Sequence, residues 1–283
     1  MRILYQPKVY LVGKTRIEED GFNEFLKDND LLWPTELDSP EGQRLIEMFG
    51  RNCYMSYGQK AGSLTNEAYL DNLLGFNRPG IAHGSVTEHI SYNFMVVGAG
   101  RGFTHEQVRH RAGFAYSQLS TRYCDFEREK EEGTWDPGFC VPPLAQLTEE
   151  TKKHFEETLR LAVVNYTKAY HLISRDISEK FKDYLGTMTE RQQKTFVRKA
   201  ARGAARDLLP IGTEAILGMT GNVRAIWNTI AMRAAEPAEP QIREVYVQVA
   251  RIMEKELPGI FKGMTYKKCW DGTTYIEMSR DKV

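Results

Sequence analysis

Hydrophobic and polar residues alternate with a period of two in two places near the start of the chain. In residues 1–15, Val9 and Leu11 are the candidate buried positions. From Ile90 to Val96, every second residue is a large apolar one. A period of two places successive side chains on opposite faces of a strand. Both segments are therefore predicted to be strands with one buried face.

Three- and four-residue spacing of apolar side chains predicts helices between and after these strands. Ser39 is expected to cap a helix with Pro40 in its first turn, and Thr65 to begin a shorter helix that Gly75 ends. The longest pattern begins at Thr148. Further helices are predicted from the capping-box pair Thr189 and Gln192 to near Pro210, from about Asn222 to Met232, and from Gln241 onwards.

These elements combine into an α+β protein in which strands and short helices come first and a helical half follows. No internal repeat, low-complexity tract or convincing linker divides the chain, so residues 1–283 are expected to form a single domain. Residues 125–147 are charged and then proline-containing, as expected of a surface connection. Gly98, Gly100 and Gly102 do not fit GxGxxG and lack a surrounding βαβ unit, which argues against a Rossmann fold.

The overall composition is that of a globular protein without a dominant charge. Hydrophobic residues make up 41% of the 283 residues, and 38 basic residues balance 38 acidic ones. This balance argues against a dedicated nucleic-acid-binding protein, so any anion site must be local. The four cysteines are widely spaced and form no CxxC pair, and no apolar signal region or membrane span is present. We therefore expect a cytoplasmic protein without a disulfide framework, a structural zinc or a membrane partner.

The stretch Thr104–Tyr123 carries the densest functional signal in the chain. It places His110 between Arg109 and Arg111, and Arg122 lies near its end. Arginine recognises phosphate through a planar pair of donors. The stretch is therefore either a solvated basic patch or the floor of an anion-binding cleft. The apolar and aromatic residues among these charges favour the cleft; they are Phe114, Tyr116, Leu119 and Tyr123.

A second basic group lies at residues 198–206. Arg198, Arg202 and Arg206 recur every four residues, and Lys199 lies beside them. Like charges at this spacing repel one another on a helix, and no acidic residue intervenes to offset them. An exposed basic stripe is one interpretation. A phosphate-facing helix is the better one, because the alanines and Gly203 allow a ligand or a neighbouring element to approach closely.

A third polar segment, residues 221–233, is a weak signal by itself. Arg224 and Asn228 are expected to share a helix face, and together with Arg233 they could bind a heterocycle and a phosphate.

His105 and His110 would lie on opposite faces of a helix, so HExxH zinc geometry is absent and no metal is expected. No catalytic serine or cysteine motif is present either. An enzyme with anion-binding residues but no nucleophile of its own would depend on a bound cofactor for the reactive chemistry.

In their order and spacing these motifs resemble the flavin-dependent thymidylate synthases, over residues 50–250. The family signature RHR appears at residues 109–111, and SQLSTRY follows at 117–123. His83 and Ser85, with Glu88 and His89, resemble the family's segment before its central strand. Residues 199–210 and 222–233 match the family's basic helix and the helix that follows it.

The resemblance implies a central, mostly antiparallel sheet flanked by helices, assembled as a homotetramer with active sites between subunits. It also implies C5 methylation of deoxyuridylate (dUMP) to dTMP, in which methylenetetrahydrofolate supplies the carbon and NADPH-reduced FAD supplies hydride. Arg233 is the expected catalytic residue that polarises the pyrimidine, and Tyr123 is expected to flank the ring or the folate. The implied flavin-binding residues are His83, Ser85, Arg109, His110, Arg111, Asn222, Arg224 and Asn228. The implied nucleotide-binding residues are Glu106, Gln118, Ser120, Thr121, Arg122, Lys199, Arg206 and Arg233.

Three positions depart from the family pattern. Eight residues rather than seven separate Arg111 from Ser120, Cys53 replaces a usual flavin-contacting serine, and residues 236–239 replace a segment that commonly carries histidine. The extra residue, between the flavin-facing and nucleotide-facing halves of the central stretch, could make room for a ribose 2′-hydroxyl. Methylation of UMP in a specialised pathway is therefore the alternative substrate hypothesis. A non-catalytic RNA-binding protein with a basic cleft is the alternative from another class, although no nucleic-acid polymer is expected as a partner.

Overall fold

The computed structural model describes residues 2–33, 38–58, 64–77, 82–124, 126, 138–141, 143 and 147–280. Its strands are β1 (Arg2–Leu4), β2 (Lys8–Lys14), β3 (Ser91–Val97), β4 (Phe114–Gln118), β5 (Gly138–Cys140), β6 (Leu217–Asn222), β7 (Met264–Lys268) and β8 (Thr274–Met278). Its helices are α1 (Glu19–Asp28), α2 (Glu41–Tyr54), α3 (Asn66–Leu73), α4 (Arg101–Gln107), α5 (Glu149–Lys180), α6 (Lys182–Gly186), α7 (Glu190–Ala205), α8 (Val223–Arg233) and α9 (Pro240–Glu256). Short 3-10 helices cover Gly84–His89 and Arg206–Leu208.

A four-stranded antiparallel sheet with strand order β2-β3-β6-β4 forms the centre of the protein. Buried and half-buried positions alternate along β3, as its sequence predicts, and Tyr92, Phe94 and Val96 are almost fully buried. Their side chains join the main hydrophobic core with the apolar faces of α8 and α9. The predicted class, an α+β fold with a mostly antiparallel sheet flanked by helices and a helical C-terminal half, is confirmed.

A smaller core lies between the long helix α5 and the parallel strand pair β1 and β5. Phe139 and Val141 are fully buried, and they pack in one cluster with Leu159 and Tyr166 of α5. The prediction of a surface connection over residues 125–147 is therefore wrong for residues 138–141, which are buried, with Phe139 and Val141 packed against this helix. Most of the other residues in that segment lie outside the described residues.

Helix starts are confirmed where a side chain caps the first turn. Thr65, Thr148 and Thr189 each accept a hydrogen bond from a backbone N–H in the first turn of α3, α5 and α7, and the last of these forms a complete capping box. The expectation of Ser39 as the N-cap of α2 is wrong. Pro40 occupies that position with an extended ψ of 134° and lies outside the helical turn in which it was expected.

Strand β6 is central to the sheet, although its sequence does not reveal it. The sequence LGMTGN contains two glycines and has weak strand propensity. Gly221 is required by packing, because a Cβ there would lie 2.6 Å from Cε1 of Phe114 on β4. Since β6 ends at Asn222 and α8 begins at the next residue, the strand places the start of α8 beside β4.

Within the described residues, no helix is both long and apolar enough to cross a membrane. The longest helix, α5, has 32 residues, and charged side chains occur along its whole length. The single domain spanning residues 1–283 and the cytoplasmic location remain predictions.

Candidate active site

The central stretch Thr104–Tyr123 folds as the end of α4, a tight turn, strand β4 and a final turn. The turn at Arg111–Phe114 requires a glycine. Gly113 has a φ of +75°, and a Cβ on it would lie 2.7 Å from the Cβ of Ala225 on α8. Strand β4 then pairs residue for residue with β6 along its whole length. The sheet and α8 thus fix the register of both halves of the stretch.

The histidines of this stretch do not share a helix, because α4 ends at Gln107 and His110 lies beyond it. The expectation that His105 and His110 lie on opposite helix faces is therefore wrong in its geometry. Across the residues whose structure is described, no cluster of three or more His, Cys, Asp or Glu side chains could hold a metal ion.

Arg233, at the end of α8, is held by two side chains from the region where α4 ends. Its Nε donates a hydrogen bond to Nε2 of His110 at 2.9 Å, and its Nη1 donates to Oε2 of Glu106 at 2.8 Å. A guanidinium only donates, so Nε2 of His110 must be unprotonated. Burial, and then the charge of Arg233, lower the pKa of His110 and favour this neutral ring. The contacts fix the orientation of the cation and leave Nη2 of Arg233 without a partner among the described residues.

A cavity of about 430 Å³ lies at the other end of α4. Arg101, the first residue of α4, and Arg206, which follows α7, line it together with Thr121. Burial, and then the charge of Arg206, lower the pKa of Arg101. The buried Nε of Arg101 has no hydrogen-bond partner in the described part of the chain. Two converging guanidinium groups and a hydroxyl group are a suitable site for a phosphate.

Arg101 was not among the predicted site residues. Its position eight residues before Arg109, after the glycine at 100, distinguishes it only weakly from other arginines in the sequence. Its role becomes visible once α4 places it beside Thr121 and Arg206, which are far from it in sequence.

Two predicted nucleotide-binding residues lie between these two groups. Nε2 of Gln118, at the end of β4, donates to Oγ1 of Thr104 in the middle of α4 at 3.2 Å. The following turn is held by Ser120, whose Oγ accepts a hydrogen bond from the backbone N–H of Arg122 at 3.3 Å. The side chains of Gln118 and Arg122 are exposed, and Ser120 is half-buried. The predicted nucleotide segment therefore runs alongside α4.

Tyr123 contacts the basic helix α7. Nζ of Lys199 lies 4.9 Å from the centre of the Tyr123 ring, and Nη1 of Arg202 donates to the Tyr123 carbonyl oxygen at 2.9 Å. Arg202 is only 6% exposed, so the interpretation of a phosphate-facing arginine is wrong at this position. No close approach requires a glycine at position 203 among the described residues, because a Cβ there would make only an ordinary contact, 3.8 Å from Nε of Arg122.

The helix α8 and its N-cap residue include three of the residues that the resemblance assigns to the flavin. Asn222 caps this helix, since its Oδ1 accepts a hydrogen bond from the backbone N–H of Ala225 at 2.8 Å. Arg224 forms an ion pair of 2.6 Å with Glu88, which lies in the 3-10 helix before β3. Asn228 is half-buried one turn after Arg224. The ion pair thus joins the start of α8 to the segment that contains the other predicted flavin residues.

His83 and Ser85 are exposed beside the C-terminal end of α2. Nδ1 of His83 lies 3.2 Å from the hydroxyl of Tyr54, and the two rings meet edge to face. Cys53, at the position of the usual serine, is exposed and is the residue before this tyrosine. The structure therefore brings the segment containing Cys53 to the same place as His83, although 30 residues separate them in sequence.

Four arginine side chains around the site have no hydrogen-bond or ion-pair partner among the described residues; they are Arg109, Arg111, Arg122 and Arg206. Two neighbouring carboxylates are engaged elsewhere, since Glu106 pairs with Arg233 and Glu88 pairs with Arg224, while Asp207 lines the cavity with Arg206. Arginines without carboxylate partners are suited to bind phosphate oxygens of a ligand. The site therefore fits ligands with more than one phosphate group.

An antiparallel sheet with a fixed arginine, an arginine-lined cavity and several unpaired guanidinium groups is suited to bind ligands that carry phosphate groups, such as a nucleotide and a nucleotide cofactor. A family model described as "Thymidylate synthase complementing protein" matches residues 36–259. The chain belongs to this family, the flavin-dependent thymidylate synthases.

Named relatives agree with this assignment. The flavin-dependent thymidylate synthase of Mycobacterium tuberculosis is 33% identical over 267 residues, which cover 94% of this chain and 93% of that protein. The enzymes of Mycobacterium avium and Mycolicibacterium gilvum match with the same identity and coverage. A solved structure, the UMP/dUMP methylase PolB from Streptomyces cacaoi bound with 5-Br dUMP, has a TM-score of 0.56 at 20% identity. That match covers 93% of this chain and 96% of PolB, and it shows a shared fold.

The predicted family, the prediction of an FAD-dependent thymidylate synthase-type enzyme and the predicted cofactor are therefore confirmed. The family uses FAD, with NADPH and methylenetetrahydrofolate as co-substrates. The unpaired arginines and the exposed His83 and Ser85 provide donors that fit a dinucleotide. Membership of an enzyme family removes the support for a non-catalytic RNA-binding protein.

Proposed function

We propose that the protein converts dUMP to dTMP by methylating C5 of the uracil ring. Methylenetetrahydrofolate supplies the carbon, and tetrahydrofolate is released. FAD reduced by NADPH supplies the hydride that completes the methyl group. The observation that carries the proposal is the fixed guanidinium of Arg233, held by His110 and Glu106 at one end of α4 while a phosphate-binding cavity lies at the other end.

The length of α4 suits a nucleoside monophosphate. Seven residues at a rise of about 1.5 Å each make this helix about 10 Å long. A nucleotide lying along it would place its phosphate against Arg101, Thr121 and Arg206 and its base near Arg233. Gln118, in the middle, lies beside the region that the sugar would occupy. We assign nucleotide binding to these residues and to Glu106, Ser120, Arg122 and Lys199.

Arg233 is the proposed catalytic residue because a fixed cation stabilises negative charge that develops on the pyrimidine during the reaction. Its orientation needs no rearrangement, since Glu106 and His110 hold it before substrate binds. Tyr123 is 57% exposed at the edge of the site, and we propose that it flanks the ring or the folate. These residues orient the reactants, and the bound flavin supplies the redox chemistry.

The flavin site proposed here consists of the turn carrying Arg109, His110 and Arg111, together with residues from two neighbouring segments. These are His83 and Ser85 before β3, and Asn222, Arg224 and Asn228 at the start of α8. The ion pair between Glu88 and Arg224 marks where the two segments meet. The cationic side chains of the turn would bind phosphate groups of FAD, and the amide and hydroxyl groups would bind polar ring atoms.

The proposal is tested first by the absorption spectrum and then by product analysis. The purified protein is expected to be yellow or to bind added FAD. With NADPH, methylenetetrahydrofolate and dUMP under anaerobic conditions, it should form dTMP, detected by liquid chromatography and mass spectrometry. Failure of the FAD-loaded protein to form any 5-methyl nucleotide from dUMP or UMP would contradict the proposed reaction.

UMP is the second candidate substrate, favoured by the extra residue between Arg111 and Ser120 and by the structural similarity to PolB, a UMP/dUMP methylase. Strand β4 stays in register with β6 throughout, so β4 itself does not accommodate an extra residue. The turn at residues 111–114 is the proposed location, on the flavin side of the stretch. A competition assay with equal concentrations of dUMP and UMP decides between the two substrates. Preferential formation of 5-methyl-UMP would overturn dUMP as the main substrate.

We also propose that the protein assembles as a homotetramer with active sites between subunits. Leu161 and Val164 on α5 are about 60% exposed, and Phe181 at the end of this helix, Tyr184 and Phe196 are also exposed. Apolar residues at these positions are suited to an interface between copies of the chain. Light scattering coupled to size-exclusion chromatography should give four times the 32.5 kDa of one chain, and a monomer would contradict this assembly.

A further inference from the structure

Gln107 is a buried polar residue that the proposed reaction does not use directly. It is the last residue of α4 and its side chain is fully buried. Its Nε2 donates a hydrogen bond to the hydroxyl of Tyr116 on β4 at 2.9 Å, while its Oε1 has no partner among the described residues. Tyr246 of α9, a fully buried tyrosine, lies close to both Gln107 and Tyr116. The amide is therefore next to two tyrosines from different elements.

The Tyr116 hydroxyl holds the backbone of the turn that leads to the active site. It lies 2.6 Å from the carbonyl oxygen of His110 and 3.0 Å from that of Gln107, and it donates its single proton to this pair. Because that proton is engaged, the phenol oxygen can only accept from the Gln107 amide. Burial raises the pKa of Tyr116 to about 12, so the phenol keeps its proton at neutral pH.

A continuous set of contacts thus connects Gln107 to the catalytic cation. The amide orients the Tyr116 hydroxyl, the hydroxyl fixes the backbone at His110, and Nε2 of His110 accepts from Nε of Arg233. Glu106, the other residue that holds Arg233, is the immediate neighbour of Gln107. Both contacts of Arg233 therefore depend on the backbone at the end of α4.

We propose that Gln107, acting through Tyr116, is a positioning residue that sets the direction of the Arg233 guanidinium. This role rests on the proposed function of Arg233 in the methylation of the uracil ring. It does not require Gln107 to touch the nucleotide, the flavin or the folate.

The test is the substitution Gln107→Met, which removes the amide and keeps a side chain of similar length. The matched control is Gln43→Met on α2. Gln43 is another buried amide, bonded to Asn66 at 3.0 Å and to the backbone N–H of Gly259 at 2.7 Å, and it belongs to none of the proposed sites. Q43M therefore measures how far the loss of a buried amide lowers activity only by lowering the stability of the protein.

Kinetics separate positioning from binding and from folding. We expect Q107M to lower kcat by about 10- to 100-fold, because a small displacement of a catalytic group has an effect of that order. The KM for nucleotide should stay within about threefold, since the phosphate site is unchanged. Q43M should keep the wild-type kcat at temperatures where it is folded. Unchanged kcat in folded Q107M overturns the proposal.

A second measurement works without flavin or substrate, so it remains decisive if the proposed reaction is wrong. Arg233 from α8 contacts the His110 ring and lowers its pKa, Glu106 from α4 pairs with that arginine, and the Tyr116 phenol from β4 contacts the His110 carbonyl oxygen. NMR titration of His110 should show a higher pKa in Q107M than in the wild type, because the ring moves away from Arg233 and towards solvent. The same titration midpoint in both proteins would overturn the positioning role.

Tyr116→Phe tests whether the effect passes through the hydroxyl. If Gln107 acts through Tyr116, the loss of kcat in the double variant should be close to that in Y116F alone. Multiplicative losses would show that the two residues act independently and would overturn the connection.

Discussion

The Nε atom of Arg233 donates a hydrogen bond to Nε2 of His110 across 2.9 Å, joining the end of α8 to the turn after α4. This contact links the predicted flavin-binding histidine to the predicted catalytic arginine within one chain. It also requires a neutral imidazole, because a protonated Nε2 of His110 would be a donor and could not accept from the Arg233 N–H. The catalytic cation and the protonation state of the histidine are therefore coupled.

Arg233→Lys should lower kcat/KM by about 100- to 1000-fold, the range seen when one fixed donor to a developing charge is removed. A lysine ammonium lacks the planar set of donors that contacts His110 and Glu106 together. Steady-state kinetics with dUMP measures the effect. Arg251→Lys, on an exposed position of α9, is the control and should retain wild-type activity. An R233K enzyme within threefold of wild type would remove Arg233 from the catalytic role.

Protonation of His110 should destabilise the folded protein below about pH 6.5, the ordinary pKa of histidine. Its folded-state pKa is lowered by burial and by Arg233, so the unfolded chain binds more protons in this range. Unfolding free energy must then fall as the pH decreases from about 6.5 to the lower folded pKa. Urea unfolding of wild type and His110→Gln between pH 7.5 and 5 measures it. The variant should lose part of this dependence, and parallel curves for the two proteins would contradict the expectation.

Arg206→Ala should raise the KM for nucleotide by about 10- to 100-fold, since a charge-assisted hydrogen bond contributes about 1.5–3 kcal/mol. The kcat should change much less, because the phosphate is remote from C5. Arg198→Ala is the matched control, since Arg198 lies two turns earlier and does not line the cavity with Arg101. Equal KM values for R206A and R198A would argue against phosphate binding in that cavity.

Asp271→Ala should destabilise the protein by about 3–5 kcal/mol, because it leaves the guanidinium of Arg243 buried without its charge partner. Arg243 on α9 and Asp271 between β7 and β8 are both almost fully buried, and they form an ion pair that Thr273 supports. Urea unfolding measures the loss.

The control for this ion pair lies on the same hairpin. Lys267 and Glu277 form a pair of 2.6 Å with both side chains about half exposed. Glu277→Gln should leave the unfolding midpoint unchanged within error, because exposed pairs contribute little. If D271A were as stable as E277Q, the buried pair would not hold the hairpin to α9.

Local signals in the sequence were sufficient for much of the fold. Thr148 and Thr189 predict the starts of α5 and α7 because an N-cap depends only on the next few residues. The alternation in β3 likewise predicts its buried face. Strand β6 could not be predicted in this way, since its glycine-rich sequence becomes a strand only through pairing with β3 and β4 on either side.

In the candidate site too, some residues could be identified from the sequence and others only from the packing. The RHR motif and Arg233 were identified from resemblance to the family, and the structure brings His110 and Arg233 into contact. Arg202 and Arg206, four residues apart, looked alike in sequence, yet one is buried against Tyr123 and the other lines the cavity. Arg101 and Gln107 were missed because their significance depends on partners that are distant in sequence or in neighbouring elements. The role of each such residue is determined by tertiary packing, which the periodicity of the sequence does not reveal.

The most direct test of the central claim is transfer of a labelled carbon. The FAD-loaded protein is incubated with NADPH, dUMP and methylenetetrahydrofolate labelled with ¹³C at the methylene carbon, and the nucleotide product is examined by mass spectrometry. Wild type is expected to form dTMP with the label in its 5-methyl group, and R233K is expected to lose most of this product. Flavin oxidation without a labelled 5-methyl nucleotide, or equal product from R233K, would contradict it.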